Sequence, residues 1–456
     1  MLNRLTEEQL LKGAITPVLM KLAVPLIIAF GFQTSYNFLD RFFVSQLGDI
    51  ATAAIGMAFT VQLFIIAVGA GLGVGISSYI ARNLGAGRQD AAVQAALHAM
   101  IMAVLIGICI AIFGWWGQVP LFRAMGARGA VLENIVDYLT IILGFTPIIL
   151  LGMFGNNIFR GWGDTLYPML FMVVGTGFNI VLDPVLIFGW GPVPAMGIQG
   201  AAWATGISRS LAFVLVLVVV FGRRQPVRLN FRRFRFSLTI VKGIFQVGIP
   251  SSLSQLLSSI TMGLLFFFLK PYGDTAKAAY TIVFTYDMVA FLPVVGIAQA
   301  VTILTGHNFG ARQLARVQKV FRSGIGLSVG LMGVVAIAVV VFPQGFAQLF
   351  ARSSTVVSIT TQALRITAFG YIFYGFYLIS VASFQGLGMG REYLWANIVR
   401  LYGFLVPLVV LLSRIWGLTG VWFGLFTGNA LSAIAVLIWY HRTFQRRIVA
   451  PAALLK

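Results

Sequence analysis

Twelve apolar stretches follow one another along this 456-residue chain, and each is long enough to cross the hydrocarbon core of a lipid bilayer. Hydrophobic residues make up 59% of the sequence and charged residues 10%, against about 25% charged residues in soluble globular domains. The sequence therefore predicts an all-α polytopic membrane protein. We predict its transmembrane spans at residues 15–46, 51–78, 93–117, 132–158, 165–190, 197–221, 239–269, 275–303, 319–345, 357–384, 392–414 and 417–440.

The two halves of the chain repeat each other at a constant offset of 225 residues. This offset brings Pro25 onto Pro250 and Gly48-Asp49 onto Gly273-Asp274. Each half holds six predicted spans, an even number, so both halves enter the membrane from the same side. We predict two six-helix lobes related by a pseudo-twofold axis along the membrane normal, as in many transporters. The predicted division is an N-lobe at 1–222, a basic cytoplasmic linker at 223–242 and a C-lobe at 243–456.

The basic residues determine the predicted orientation in the membrane. Most of the 32 Lys and Arg residues lie at the N-terminus, in the even-numbered loops and at the C-terminus. The positive-inside rule then predicts that both termini are cytoplasmic. Because the net charge of +20 arises from these loops, it does not indicate a nucleic-acid partner. We expect a monomeric, multi-pass protein whose surroundings are the lipid bilayer of the cell membrane.

Two acids lie deep inside predicted spans of the first half. A carboxylate there costs about 2.5–3.5 kcal/mol on insertion scales, so a chain that keeps one usually needs it for transport or proton handling. At 1.5 Å per residue, Asp40 in span one and Asp183 in span five each lie about 10 Å below the outer surface. Asn179 shares a helix face with Asp183, and Tyr138 and Thr205 have similar depths. We predict that these five side chains meet, although contact of Asp40 with headgroups is the alternative.

Such a cluster predicts the binding of a small ion. Two carboxylates close together in a low-dielectric site do not easily both stay ionised. A proton resolves this, and so does Na⁺, which suits oxygen ligands from Asp40, Asn179, Asp183 and Thr205. Both ions stay open as the coupling ion, and no organic cofactor is expected. The single Cys109 and three separated histidines lack ligand spacing, and there is no P-loop or nucleophile constellation, so we predict that the chain is not an enzyme.

Further polar residues mark candidate cavity and hinge positions. Gln33, Tyr36 and Asn37 form a polar stripe on the first span, and we assign them to a substrate cavity. Asp287 is the only acid deep in the second half, and it either lines that cavity or pairs with a nearby Arg. Pro25 removes one backbone hydrogen bond from the first helix, which makes it either a hinge or a passive kink.

The glycines of GAGLGVG (69–75) have spacings reminiscent of a nucleotide-binding loop. They lie in the middle of a predicted span, where neither a strand nor phosphate access is available. Gly71 and Gly75 form a G-x-x-x-G pair, which predicts close packing against another helix.

As a set, several motifs make the chain resemble the multidrug and toxic compound extrusion (MATE) family, DinF-type branch, over nearly its whole length. These motifs are PLIIAFGFQTSYNFLDRFFVSQLG, ARNLGAG, FRGWGDTLYPM, NIVLDP and GIQGAAWAT. The resemblance implies that Asp40, Tyr138, Asn179, Asp183 and Thr205 form the coupling cluster. It also implies that Gln33, Tyr36, Asn156 and Met172 line a cavity, and that the first helix bends at Pro25.

The same resemblance implies a function. We expect export of amphipathic, often cationic, organic compounds in exchange for H⁺ or Na⁺ by alternating access. Aromatic and Met-rich walls fit this expectation, because they bind many shapes without strict hydrogen-bond geometry. The alternative is a flippase of lipids or lipid-linked oligosaccharides from the same superfamily.

Overall fold

A computed structural model describes residues 5–220, 222, 232 and 234–450, except for the side chain of Asn37. Within these residues the secondary structure is helical, with no β-strand. The first half contains α1 (Glu7–Lys12), α2 (Ile15–Ser45), α3 (Asp49–Gly85), α4 (Gln89–Ala124), α5 (Gly129–Gly161), α6 (Leu166–Phe188) and α7 (Gly197–Val220). The second half contains α8 (Leu238–Phe268), α9 (Gly273–Gly310), α10 (Leu314–Val341), α11 (Pro343–Phe350), α12 (Ser354–Thr367), α13 (Gly370–Gly386), α14 (Gly390–Ile398) and α15 (Val406–Phe444).

Every predicted span has a helical counterpart in the described part of the chain. The helices α2 to α7 and α10 each match one span, and α8 and α9 match spans seven and eight. Span ten is a pair, α12 and α13, bent by 52° at its break. Spans eleven and twelve lie in Gly390–Val449, which is π-helical at Val399–Leu405 and has a left-handed glycine, Gly417, between the two spans. The predicted all-α polytopic membrane fold is therefore confirmed.

The sequence repeat reappears as repeated backbone geometry. Gly48 precedes α3 with φ of 99°, and its repeat partner Gly273 begins α9 with φ of 78°. Side chains with a Cβ rarely adopt such positive φ values, so both turns favour glycine. In each case an aspartate, Asp49 or Asp274, occupies the first turn of the helix that follows. The same turn therefore recurs at the offset of 225 residues.

The described residues form two compact units that do not divide at the linker. Unit 1 holds Leu5 and the described residues of Ile28–Ser252, whereas unit 2 combines Thr6–Ile27 with residues 253–450. Helix α2 thus gives its first half to unit 2 and its second half to unit 1, and α8 does the reverse. Both divisions fall just after a proline, Pro25 in α2 and Pro250 in α8. Of the predicted linker, residues 223–231 and 233 lie outside the described residues, and the lobe boundaries stay a prediction.

Glycines allow the first half of α8 to pack closely within unit 1 and the first half of α2 to pack closely within unit 2. In unit 1, a Cβ on Gly71 of α3 would collide with the backbone of Ser252 in α8. A Cβ on Gly75, one turn further along the same face of α3, would collide with the backbone of Ile244 in α8. The predicted close helix packing of this glycine pair is therefore confirmed. In unit 2 the repeat partner of Gly71, Gly296 of α9, lies against Ile27 of α2, where a Cβ would first meet the Ile27 side chain.

The segment before α2 is held on unit 2 by a polar cluster. Asn308 Nδ2 donates to the carbonyl oxygen of Leu10 at 3.3 Å, and Arg316 Nη2 donates to that of Gly13 at 2.9 Å. Arg316 Nε also donates to Asn308 Oδ1 at 2.9 Å, which orients both side chains. These contacts anchor the entrance of the first spanning helix.

The segment before α8 is held on unit 1 by a buried histidine. His98 Nε2 accepts the backbone N–H of Ser237 at 2.9 Å, while Nδ1 lies 2.7 Å from the carbonyl oxygen of Gln94. This pattern requires the neutral ring with its proton on Nδ1. The rings of Phe234 and Phe236 lie 4.8 and 5.8 Å from the imidazole. The end of the predicted linker is therefore fastened to α4.

Replacing His98 with Phe should loosen this fastening. The variant keeps an aromatic ring for Phe234 and Phe236 but leaves the Ser237 N–H without its acceptor, at a cost of about 1 kcal/mol for a half-buried group. We expect trypsin to cleave after Arg235 about fivefold faster, because cleavage follows the population of the open segment. Mass spectrometry of timed digests measures this. His441→Phe, at an exposed histidine, is the control, and equal cleavage rates in both variants would contradict the assignment.

Candidate functional site

A hydrogen bond joins the second half of α2 to α7 at the predicted cluster. The hydroxyl of Tyr36 lies 3.1 Å from Thr205 Oγ1. Both side chains point into unit 1, and Thr205 is 8% exposed. The bond connects the residue predicted to line the cavity with one predicted to hold the coupling ion.

The α6 residues form the most deeply buried part of the cluster. Asn179 Nδ2 donates to Asp183 Oδ1 at 3.2 Å, as expected for residues four apart on one helix face. Asp183 is fully buried and Asn179 is 2% exposed. Three buried oxygens here have no hydrogen-bond partner among the described side chains: Asp40 Oδ1, Asn179 Oδ1 and Asp183 Oδ2. Buried polar atoms normally have hydrogen-bond partners, so these three oxygens are free to accept a proton donor or to bind a cation.

Asp40 and Asp183 lie close enough to interact electrostatically. Tyr138 of α5 is buried and lies within electrostatic range of both carboxylates. Its hydroxyl accepts a hydrogen bond from Nε2 of Gln62 in α3. The structure thus brings together side chains from α2, α5, α6 and α7, the four helices that hold the predicted coupling cluster.

A cavity within unit 1 adjoins this cluster. Its lining includes four residues assigned to a substrate cavity from the sequence, namely Gln33, Tyr36, Asn156 and Met172. Asn179 and Thr205 of the predicted ion site line it as well. The walls are otherwise mostly apolar, with contributions from residues such as Phe171 and Met153. Asp40, Asp183 and Tyr138 are not part of the lining.

Two residues near the cluster were missed from the sequence. Arg209 lines the cavity, and its guanidinium carbon lies 5.8 Å from the ring centroid of Tyr36. Its signal was present, since Arg209 follows Thr205 by four residues and lies inside a predicted span. Gln62, which bonds Tyr138, carried no such signal, because amides are not unusual in spanning helices.

The remaining predicted positions lie elsewhere. The side chain of Asn37 lies outside what the structure describes. Pro25 lies inside the continuous helix α2, two residues before the exchange between units. Asp287 belongs to unit 2, in α9, and is therefore not part of the unit 1 cavity.

Asp287 is surrounded by aromatic residues and one arginine. Arg400 and Tyr371 lie within its electrostatic range, but the described residues include no ion pair to Asp287 within 4 Å. The guanidinium of Arg400 lies 5.0 and 4.8 Å from the rings of Tyr374 and Tyr377, and its Nε donates to Asn429 at 3.2 Å. Arg400 is thus engaged by partners other than Asp287.

The family model described as MatE matches this chain twice, at residues 25–185 and 250–411. Among curated proteins, the chain is 27% identical to the probable multidrug resistance protein YoeA of Bacillus subtilis, covering 93% of each chain. It is 26% identical to the multidrug export protein MepA of Staphylococcus aureus, covering 98% of each. Among solved structures, an outward-facing multidrug resistance MATE family transporter of the MOP superfamily is 34% identical. The TM-score to that structure is 0.92, over 97% of this chain and 99% of that one.

Proposed function

This chain belongs to the MatE family of membrane transporters, and we propose that it exports amphipathic organic compounds in exchange for H⁺ or Na⁺. As a transporter of this family it is not an enzyme. The curated relatives are named for multidrug resistance and export, which supports small organic molecules as cargo. In this proposal the chain works as a monomer in the cell membrane, with both termini cytoplasmic.

The three unpartnered oxygens of Asp40, Asn179 and Asp183 carry the proposal. A buried carboxylate oxygen without a partner is costly, and either a proton or a small cation would satisfy it. A proton would add a donor between the carboxylates, and Na⁺ would take these oxygens together with Thr205 Oγ1 as ligands.

The connection between ion and cargo runs through Tyr36 and Thr205. Thr205 belongs to the proposed ion site, and its bond to Tyr36 leads to the cavity wall. An ion that changes the charge beside Thr205 would alter this bond and the position of the second half of α2. Pro25 is the proposed hinge, because α2 passes from unit 2 to unit 1 between Ile27 and Ile28, just after this proline.

Transport into vesicles tests the proposal directly. We expect proteoliposomes holding the purified chain to move ethidium against its gradient when a pH gradient or a Na⁺ gradient is applied, and one of the two should suffice. Each gradient is imposed separately at a clamped membrane potential, with protein-free vesicles as the control. Transport under neither gradient, combined with movement of a fluorescent polyprenyl-phosphate lipid between leaflets, would favour the flippase alternative instead.

A further inference from the structure

Arg209 is the one charged side chain among the described residues that line the unit 1 cavity. It follows Thr205 by four residues and therefore lies on the same face of α7. The bond between Thr205 and Tyr36 orients the tyrosine ring, and the Arg209 guanidinium stacks on that ring at 5.8 Å. Cation–π contact of this kind holds a guanidinium in place without neutralising it.

The charge of Arg209 is not cancelled by a direct partner. Within the described part of the chain, the ion pairs join other residues and none involves Arg209 within 4 Å. Arg209 does interact electrostatically with Asp40 across the cluster. Arg41 also acts on Asp40, but it is exposed and stacks on Phe59 at 5.1 Å, away from the cavity lining. Arg209 is therefore the positive charge that shares a site with the cargo.

The formal charges around the cavity change sign as ions bind. The titratable groups that face one another here are Asp40 and Tyr36 of α2, Tyr138 of α5 and Asp183 of α6. With both carboxylates ionised and both tyrosines neutral, Arg209 leaves one net negative charge, which attracts an organic cation. One proton or Na⁺ shared by the carboxylates brings this sum to zero, and a second bound charge leaves the charge of Arg209 uncancelled. The same cavity then repels an organic cation.

We propose that Arg209 is the residue that converts ion binding into release of cationic cargo. This role rests on the proposed exchange of cargo for H⁺ or Na⁺, and it specifies cargo that carries a positive charge. Without Arg209, the net charge of the two acids would only change from negative to neutral. Ion binding would then weaken the binding of a cationic cargo but would not repel the cargo. Arg209 is a positioning and specificity residue, because it acts on the cargo through charge and contributes no ion ligand.

Binding of ethidium to the purified full-length chain tests this role. Fluorescence anisotropy gives the Kd of the dye with and without the coupling ion, at constant ionic strength. In the wild type we expect the ion to weaken binding about tenfold, within the usual range of coupling between two sites. Arg209→Gln and Arg209→Met should reduce this change to less than about threefold, and both should bind the dye without the ion at least as tightly as the wild type.

Two further variants complete the test. Arg209→Lys keeps the charge and should keep the effect of the ion, whereas Arg128→Gln removes an equal charge from an exposed position before α5 and should behave like the wild type. A tenfold weakening that persists in Arg209→Gln or Arg209→Met would overturn the role of Arg209. A wild type whose dye affinity ignores both ions would instead overturn the proposed exchange, and this role with it.

Discussion

Asp183→Asn should abolish gradient-driven export while leaving the fold intact. The substituted amide retains an oxygen that can accept the hydrogen bond from Asn179, which lies at 3.2 Å in the native protein. The negative charge and the free oxygen that would hold a proton or cation are lost together. We expect ion-driven ethidium transport to fall at least tenfold, since about 1.4 kcal/mol of lost ion binding already gives that factor.

The controls separate charge loss from misfolding. Asp40→Asn should fail in the same way, because Asp40 and Asp183 act on one another. Asp49→Asn removes an exposed carboxylate at the first turn of α3 and should transport normally. The melting temperature and size-exclusion profile of each purified variant report folding. Wild-type transport by Asp183→Asn would remove this residue from the coupling site.

Gly71→Ala should destabilise the protein, whereas the same substitution at Gly56, in the same helix α3, should not. The added Cβ would meet the backbone of Ser252, and backbone atoms cannot turn aside as the end of a side chain can. Overpacking of this kind costs about 1–3 kcal/mol, and more where nothing yields. We expect a lower melting temperature for Gly71→Ala and little folded protein for Gly71→Leu.

Gly56 provides the matched comparison in the same helix. A Cβ on Gly56 has no neighbour within 4 Å, and alanine is favoured over glycine in a helix by about 1 kcal/mol. Gly56→Ala should therefore keep or raise the melting temperature. Gly296→Ala should fall between the two, because its closest contact is a side-chain atom, Cγ1 of Ile27. Equal melting temperatures for the Gly71 and Gly56 variants would show that α3 and α8 are not packed as described.

The parts of the site that follow from helix geometry could be predicted from the sequence. The cost of burying Asp40 and Asp183 identified them, and the spacing of four residues placed Asn179 on the face of Asp183. Rise per residue then matched their depth with that of Tyr138 and Thr205. These arguments need only the length of a helix and the thickness of a bilayer.

The parts that depend on which distant helices touch could not be predicted in this way. Periodicity does not reveal that Ser237 bonds to His98, or that Gln62 reaches Tyr138 from another helix. The division of α2 and α8 between the two units could not be predicted either, although the repeat offset pairs Pro25 with Pro250. Only Arg209 was both missed and detectable, because an arginine inside a span is as costly as an acid.

The division of α2 between two units has a consequence for biosynthesis. Residues 6–27 are translated first, but the other helical segments of their unit begin only at residue 253. A nascent chain that stops at residue 252 holds six complete apolar helices and half of α8, while its earliest helix still lacks the neighbours it needs. Unit 1 is fully translated at residue 252, but unit 2 cannot finish assembling until the second half is made, so membrane insertion and final packing of the earliest helix must be separate events.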